Sequence, residues 1–167
     1  SCPTRSGPSP EERNQEVINI ILHCPEIPQN TGSIGRICAF AGCRLHLIHP
    51  LGFKITDKYL RRAGMDYWKT LELFEYENWD KFLESKTKPK NIYLFTTHAS
   101  QTLWQTTFVK DDGLLFGNEG KGAPEEIHQW AKTNRITIPK YKEGLRSLNL
   151  AVSVGIATYE AMRQIHS

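Results

Sequence analysis

Val17-Ile18-Asn19-Ile20-Ile21-Leu22 is a short, β-branched apolar run, and a capped amphipathic helix and a second apolar run follow it within about thirty residues. The first run reads as a buried strand, ended by the proline-bounded loop Pro25 to Pro28. A helix is then signalled from Asn30 or Thr31, with a capping side chain, an apolar stripe at Ile34, Ile37, Cys38 and Ala41, and Gly42 as its C-terminal stop. Arg36 lies about 200° around that helix from Ile34 and so projects away from the core face. Residues 44–49 form a second strand. Strand, helix, strand over so short a span is the pattern of a parallel crossover unit.

The same alternation continues. Residues 56–63 and 79–85 read as short surface helices around a stretch that shows no clear pattern. Residues 91–97 and 113–117 read as strands. Pro124 suits the first position of a helix running to about Ala131, residues 135–139 form a last short strand, and one long helix, about 148–165, closes the chain. That helix is apolar on most sides and rich in small residues, so it packs against the sheet or against another subunit. The expected fold is α/β, a mainly parallel sheet flanked by helices, in one domain over residues 17–167. A ligand is expected beyond the carboxyl ends of the strands, in the loops after Thr97, Gly117 and Pro139. Residues 1–16 carry almost nothing apolar and read as a flexible tail.

Composition narrows the class. The chain has 167 residues, 39% of them hydrophobic, enough for one core and too few for two ordinary domains. A net charge of +3 permits RNA binding only where basic residues gather on one surface. Cys2, Cys24, Cys38 and Cys43 show no regular spacing, which suggests reduced thiols and a cytoplasmic setting. Cys43, His46 and His49 sit three apart, but on a strand such residues face opposite sides, so no metal site is expected there. No apolar run approaches the ~18 residues that span a bilayer, nor is there a signal-peptide core, and no membrane association is expected.

The loop Gly117-Asn118-Glu119-Gly120-Lys121-Gly122-Ala123-Pro124 stands between a strand and a helix, and its glycines let backbone approach a ligand closely. It is not a Walker loop, because Gly122 follows Lys121 where a hydroxyl would hold magnesium. The first strand is not followed by GxGxxG, and the chain has neither GxSxG nor HExxH, nor a cysteine with an evident histidine partner. What remains is chemistry in which a cofactor brings the reactive group and the protein positions the reactants. In Lys58-Tyr59-Leu60-Arg61-Arg62-Ala63-Gly64-Met65-Asp66-Tyr67-Trp68-Lys69, cations and aromatic rings interleave as in single-stranded RNA recognition, although a solvated helix face with inward aromatics has the same pattern.

Three stretches now converge: Pro25-Glu26-Ile27-Pro28-Gln29-Asn30-Thr31-Gly32-Ser33-Ile34-Gly35-Arg36, then Phe116-Gly117-Asn118-Glu119-Gly120-Lys121-Gly122, then Ile138-Pro139 followed by Arg146-Ser147-Leu148-Asn149-Leu150. In that order they resemble the motifs of the SPOUT superfamily of RNA 2′-O-methyltransferases. With Leu51-Gly52-Phe53 and Arg61-Arg62-Ala63-Gly64-Met65-Asp66-Tyr67 the chain looks like the TrmL (YibK) group, over about residues 17–164. Asn118 and Lys121, where that group usually has proline and arginine, and the run Leu148-Asn149-Leu150-Ala151-Val152-Ser153 are closer to the TrmH branch.

The resemblance implies a C-terminal deep trefoil knot, which periodicity alone would never suggest. It implies a homodimer with the first and last helices at the interface. S-adenosylmethionine is then expected against Phe95, Thr96, Gly117, Ile138, Ser147 and Leu148, with Glu119, Asn149 and Asn30 bracing the site. Arg36, Ser147 and Asn30 are the candidate catalytic residues, and Arg61, Arg62, Tyr141 and Lys142 the candidate RNA contacts. A guanidinium keeps its proton to about pH 12, so Arg36 suits clamping a phosphate and orienting the 2′-oxygen; a phosphate oxygen or a locally perturbed Arg36 takes the proton. The implied activity is 2′-O-methylation of the tRNA wobble nucleotide in the anticodon stem-loop. The alternatives are another tRNA or rRNA position, or an RNA-binding protein that has lost catalysis. A nucleotide-hydrolysing domain is disfavoured by Lys121-Gly122.

Overall fold

The computed structural model describes residues 17–55 and 67–167. Its centre is a six-stranded sheet in which every pairing is parallel. In chain order the elements are β1 (Asn19–His23), α1 (Pro28–Ala41), β2 (Arg44–Ile48), β3 (Leu73–Tyr76), α2 (Trp79–Glu84), β4 (Ile92–Phe95), β5 (Gly113–Phe116), α3 (Glu125–Ala131), β6 (Arg135–Ile136) and α4 (Leu150–His166), with a 3-10 turn at Leu103–Gln105. Across the sheet the order is β3-β2-β1-β5-β4-β6.

The period of two along each strand divides the apolar side chains between two cores. Ile20 and Leu22, Leu45 and Leu47, and Leu114 and Phe116 face the side covered by α1 and α4. Ile21, Ile48, Leu94 and Leu115 face the other side, with Trp79 and Phe82 of α2 and Ile127 of α3. Helices α1 and α4 pack against each other as well as against the sheet.

Among the described residues the expected elements are present, with corrected boundaries. Helix α1 begins at Pro28, and neither Asn30 nor Thr31 caps it: the cap position is Ile27, which offers no side-chain bond. Asn30 and Thr31 lie inside the first turn, both donating backbone N–H to the Ile27 carbonyl. Proline opens this helix because its fixed φ suits the first turn and its missing N–H leaves no orphan donor there. Gly42 ends the helix as expected, at φ 73° and bonded back to Cys38. Pro124 caps α3 rather than opening it. The last strand is only Arg135–Ile136, extended by a bridge between Thr137 and Thr102. Helix α4 begins at Leu150, because the Asn149 side chain accepts the N–H groups of Ala151 and Val152 and so ends the extended segment. The strand β3 falls in the stretch that showed no pattern. The expected helix over 56–63 lies outside the described residues.

Helix α4 carries apolar residues on both its core side and its outer side. Val154, Ala157, Thr158 and Ala161 are buried, whereas Val152, Ile156 and Tyr159 are exposed. The segment 79–85 is also more than a surface helix, since Trp79 and Phe82 are buried in the second core.

Candidate functional site

Chain direction across the sheet reverses between β1 and β5. From β1 the chain moves outward through β2 to β3, whereas β5, β4 and β6 lie on the other side. At such a switch point the loops that leave adjacent strands diverge and leave a crevice. Here the loop after β1 and the loop after β5 are tied together. The Glu119 carboxylate accepts the backbone N–H of Glu26 at 2.8 Å and of Ile27 at 2.9 Å, and the Asn30 side-chain amide at 3.3 Å. Asn118 donates its side-chain N–H to the Cys24 carbonyl at 2.8 Å, and its Oδ1 accepts the N–H groups of Gly120 and Lys121 at 2.8 and 3.0 Å. An asparagine that folds the following backbone onto itself makes the loop's own turn.

Gly117 is the residue with no room to spare. A Cβ there would lie 2.2 Å from the Ala123 nitrogen and 2.4 Å from the Gly122 carbonyl carbon, both backbone atoms. The loop therefore folds back directly over its first residue, closed by the Asn118–Gly122 bridge.

A third segment joins these two. Asn149, which caps α4, donates from Nδ2 to Asn30 Oδ1 at 3.0 Å. Asn30 is buried, and its amide is engaged at both ends, by Asn149 on the oxygen and Glu119 on the nitrogen. The relay Asn149–Asn30–Glu119 thus fixes the loops after β1 and β5 and the start of α4 relative to one another. Its geometry is that of a brace.

Around it stand the other candidates. Phe95 and Phe116, at the ends of β4 and β5, stack at 4.9 Å between centroids and 13° between planes. Thr96 donates its N–H to the Ile136 carbonyl, and its hydroxyl accepts the His98 N–H at 3.1 Å. Ile138 is half-buried against the α1/α4 core. Ser147 and Leu148 lie in the exposed segment before α4. The structure therefore brings Phe95, Thr96, Gly117, Glu119, Ile138, Asn30 and Asn149 to the carboxyl end of the sheet, with Ser147 and Leu148 on the irregular, exposed approach to α4.

The RNA candidates separate. Arg61 and Arg62 lie outside the described residues. Tyr141 and Lys142 are exposed, and the Tyr141 hydroxyl accepts the indole N–H of the exposed Trp104 at 2.9 Å. Arg36 projects from α1 into solvent, as its position around the helix requires, donating from Nη2 to the Tyr67 hydroxyl at 3.1 Å with its guanidinium 4.7 Å from that ring's centroid. Sequence reasoning missed Asn118 as the loop's staple, although an asparagine between glycines at 117 and 120 suits a turn that its side chain closes onto the following backbone. It also missed the pairing of Tyr67 with Arg36 and of Trp104 with Tyr141, which no local pattern announces.

Thiol chemistry fits poorly. Burial raises the Cys24 and Cys38 thiols, and pushes Cys43 up to about 12, so none of them offers a thiolate at neutral pH. His46, the middle member of the Cys43/His46/His49 set, has both ring nitrogens in hydrogen bonds, to Tyr76 and Asn19, and Cys43 lies in the opposite core. Among the described residues no group of side chains is arranged to hold a metal.

The SpoU rRNA methylase family matches residues 17–159, a span containing both tied loops, Arg36 and most of α4. The chain belongs to this family. Among its SpoU relatives, a tRNA (cytidine(34)-2'-O)-methyltransferase from Polaromonas sp. (strain JS666) is 39% identical over 150 residues, covering 89% of this chain and 91% of the relative. One from Burkholderia ambifaria is 40% identical over 150 residues, covering 89% and 96%. A solved structure bearing on 2-OH methylation of C/U34 on tRNA superposes with a TM-score of 0.83 at 41% identity, covering 89% of this chain and 96% of that one. An AdoMet-bound rRNA methyltransferase from Sinorhizobium meliloti superposes with a TM-score of 0.80 at 25% identity, covering 92% of this chain and 59% of that one. The expected methyltransferase class and α/β architecture are both borne out.

Proposed function

We propose that this SpoU enzyme uses S-adenosylmethionine to methylate the ribose 2′-oxygen of nucleotide 34, the wobble position, in the anticodon stem-loop of tRNA. The observation that carries the reading is the near-full-length similarity, at 39% and 40% identity, to enzymes named for cytidine 34, across a span that holds the switch-point brace.

The residues fit the cofactor. The turned-back loop over Gly117 presents backbone where a Cβ would be excluded, and the aromatic pair Phe95–Phe116 and half-buried Ile138 supply apolar surface beside it. Phe95, Thr96, Gly117, Ile138, Ser147 and Leu148 would hold S-adenosylmethionine, while Glu119, Asn30 and Asn149 keep their loops in place. When bound, the cofactor supplies an electrophilic methyl group on a sulfonium.

The remaining work falls to the polypeptide. Arg36 holds an RNA phosphate beside the target ribose through its guanidinium fork. That phosphate brings a non-bridging oxygen to the 2′-hydroxyl, which gives up its proton there. Ser147 hydrogen bonds the substrate or cofactor at the same end of the sheet. Tyr141 and Lys142, exposed in the segment before α4, contact the RNA, together with Arg61 and Arg62.

The path of the chain after β6 supports a trefoil knot. It leaves the edge strand β6 and enters α4, which packs on α1 and whose capping Asn149 bonds Asn30 in the first turn of α1. Exposed Phe40 on α1 and Val152, Ile156 and Tyr159 on α4 support a homodimer through these two helices. Reduced Cys24, Cys38 and Cys43 suit a cytoplasmic enzyme.

The test is incubation with methyl-labelled S-adenosylmethionine and unmodified tRNA, wild type beside Arg36→Ala, followed by digestion to nucleosides. Label on the ribose of nucleotide 34 with wild type alone supports the reading. Label at another tRNA position, or only in rRNA, overturns the substrate; cofactor binding with no label overturns the activity.

A further inference from the structure

The pairing of Arg36 with Tyr67 is built from both sides. Tyr67 engages the guanidinium twice, accepting from Nη2 at 3.1 Å and lying with its ring centroid 4.7 Å from the guanidinium carbon. An exposed arginine ordinarily samples many rotamers, and a single surface hydrogen bond rarely holds it. A ring under the guanidinium and an acceptor at one of its nitrogens together define both its plane and its rotation in that plane.

The turn that carries Tyr67 is itself seated on α1. Thr70 donates both its N–H and its hydroxyl to the Tyr67 carbonyl, at 3.1 and 2.8 Å, and Leu71 donates its N–H to Trp68. Trp68 packs into the α1/α4 core directly over Gly35, where a Cβ would meet Trp68 Cζ3 at 2.7 Å. Gly35 is the neighbour of Arg36. The missing side chain at Gly35 thus admits the indole, the indole fixes the turn, and the turn sets the phenol against Arg36.

We infer that Tyr67 is the positioning residue for Arg36, holding the guanidinium so that its remaining N–H groups are aimed at the RNA phosphate. The inference rests on the phosphate-clamping role of Arg36 proposed above. Tyr67 takes one N–H and one face of the guanidinium and leaves the other edge for a planar, two-point contact with phosphate oxygens. Because an arginine held before RNA arrives pays little ordering cost on engagement, the gain appears in the reaction step rather than in cofactor binding.

The experiment compares Tyr67→Phe, Tyr67→Leu and Arg36→Ala with wild type in steady-state methylation of tRNA. Cofactor affinity and melting temperature are measured on every variant. Tyr67→Phe keeps the ring and loses the acceptor, and kcat is expected to fall about fivefold, the scale of one hydrogen bond. Tyr67→Leu loses both and is expected to fall further, about thirtyfold, from the added loss of the cation–π contact. KM for tRNA, the cofactor Kd and the melting temperature stay close to wild type, the first two within about twofold. A Tyr67→Leu enzyme with wild-type kcat beside an inactive Arg36→Ala sinks the inference alone. A fully active Arg36→Ala sinks the arginine's role and the inference with it.

Discussion

Asn149 and Asn30 stand 119 residues apart in sequence and share a hydrogen bond of 3.0 Å that joins the start of the closing helix to the first turn of α1. The same Asn149 side chain accepts the N–H groups of Ala151 and Val152, so one residue both starts a helix and docks it. These two duties separate by substitution. Asn149→Ala removes both and is expected to lower unfolding free energy by about 1–2 kcal/mol. Asn149→Asp keeps the cap acceptor but turns an oxygen toward Asn30 Oδ1, so stability recovers while cofactor affinity stays weakened. Urea denaturation and calorimetric titration with S-adenosylmethionine distinguish them; an Asp variant that binds cofactor like wild type would show that the link does not organise the site.

Gly117 and Gly120 occupy one loop but tolerate side chains differently. A Cβ at Gly117 collides with backbone at 2.2 Å, whereas at Gly120 the nearest atoms are Asn118 Oδ1 at 3.6 Å and Glu26 Oε2 at 3.7 Å, an ordinary contact. Gly117→Ala is expected to weaken cofactor binding more than tenfold and to cost about 1–3 kcal/mol of stability by forcing the backbone apart. Gly120→Ala is expected to leave both within about twofold. Equal affinity in the two variants would mean that the closed form of the loop is not the form that binds.

The contrast between these glycines marks where sequence patterns stop being informative. The strands β1, β4 and β5 were readable because burial on both faces leaves continuous apolar runs, as in Ile20-Ile21-Leu22 and Leu114-Leu115-Phe116. β3 was not, because as an edge strand only Tyr76 of its residues is buried, and Glu75 breaks the pattern. The start of α1 was misjudged because its cap is supplied from afar: Glu119 takes the Ile27 N–H that a local side chain would otherwise leave to solvent. In the site, the motif resemblance selected Asn30, Glu119 and Asn149, but their relay depends on pairs about ninety or more residues apart, beyond any periodicity. Tyr67 and Trp104 read only as aromatic residues until the fold set them against Arg36 and Tyr141.

Phe40 and Tyr159 lie on adjacent helices with ring centroids 6.5 Å apart, and Phe40 is 82% exposed. A large ring so open to water, beside exposed Val152 and Ile156, is a contiguous apolar face across α1 and α4. On the homodimer proposed above, wild type is expected to sediment as a dimer at micromolar concentration and Phe40→Glu as a monomer, whereas Gln129→Ser, exposed on α3, sediments like wild type. Identical sedimentation of Phe40→Glu and wild type removes this face as the dimer contact.

His46 is fully buried on β2, bonded through Nδ1 to the Tyr76 hydroxyl at 2.8 Å and through Nε2 to Asn19 Oδ1 at 2.9 Å. Burial lowers its pKa from 6.5 to about 3, and the neighbouring positive charge of Arg44 acts in the same direction. The folded protein therefore holds this imidazole neutral over a range in which the unfolded chain protonates it. Between pH 6.5 and about 3 the unfolded state binds the extra proton, so the stability associated with neutral His46 is complete above pH 6.5 and declines as pH falls, by about 1.4 kcal/mol per unit. The raised pKa of buried Asp112 contributes with the opposite sign, but it is common to wild type and a His46 variant and cancels between them. Chemical denaturation of wild type and His46→Gln from pH 7.5 to 4.5 is the measurement. The variant is expected to be less stable at pH 7.5, since the Tyr76 and Asn19 contacts are disturbed, and the gap is expected to narrow steadily below pH 6.5 as wild type loses the imidazole contribution. Parallel curves over that interval would mean that His46 takes up its proton without unfolding the sheet around it.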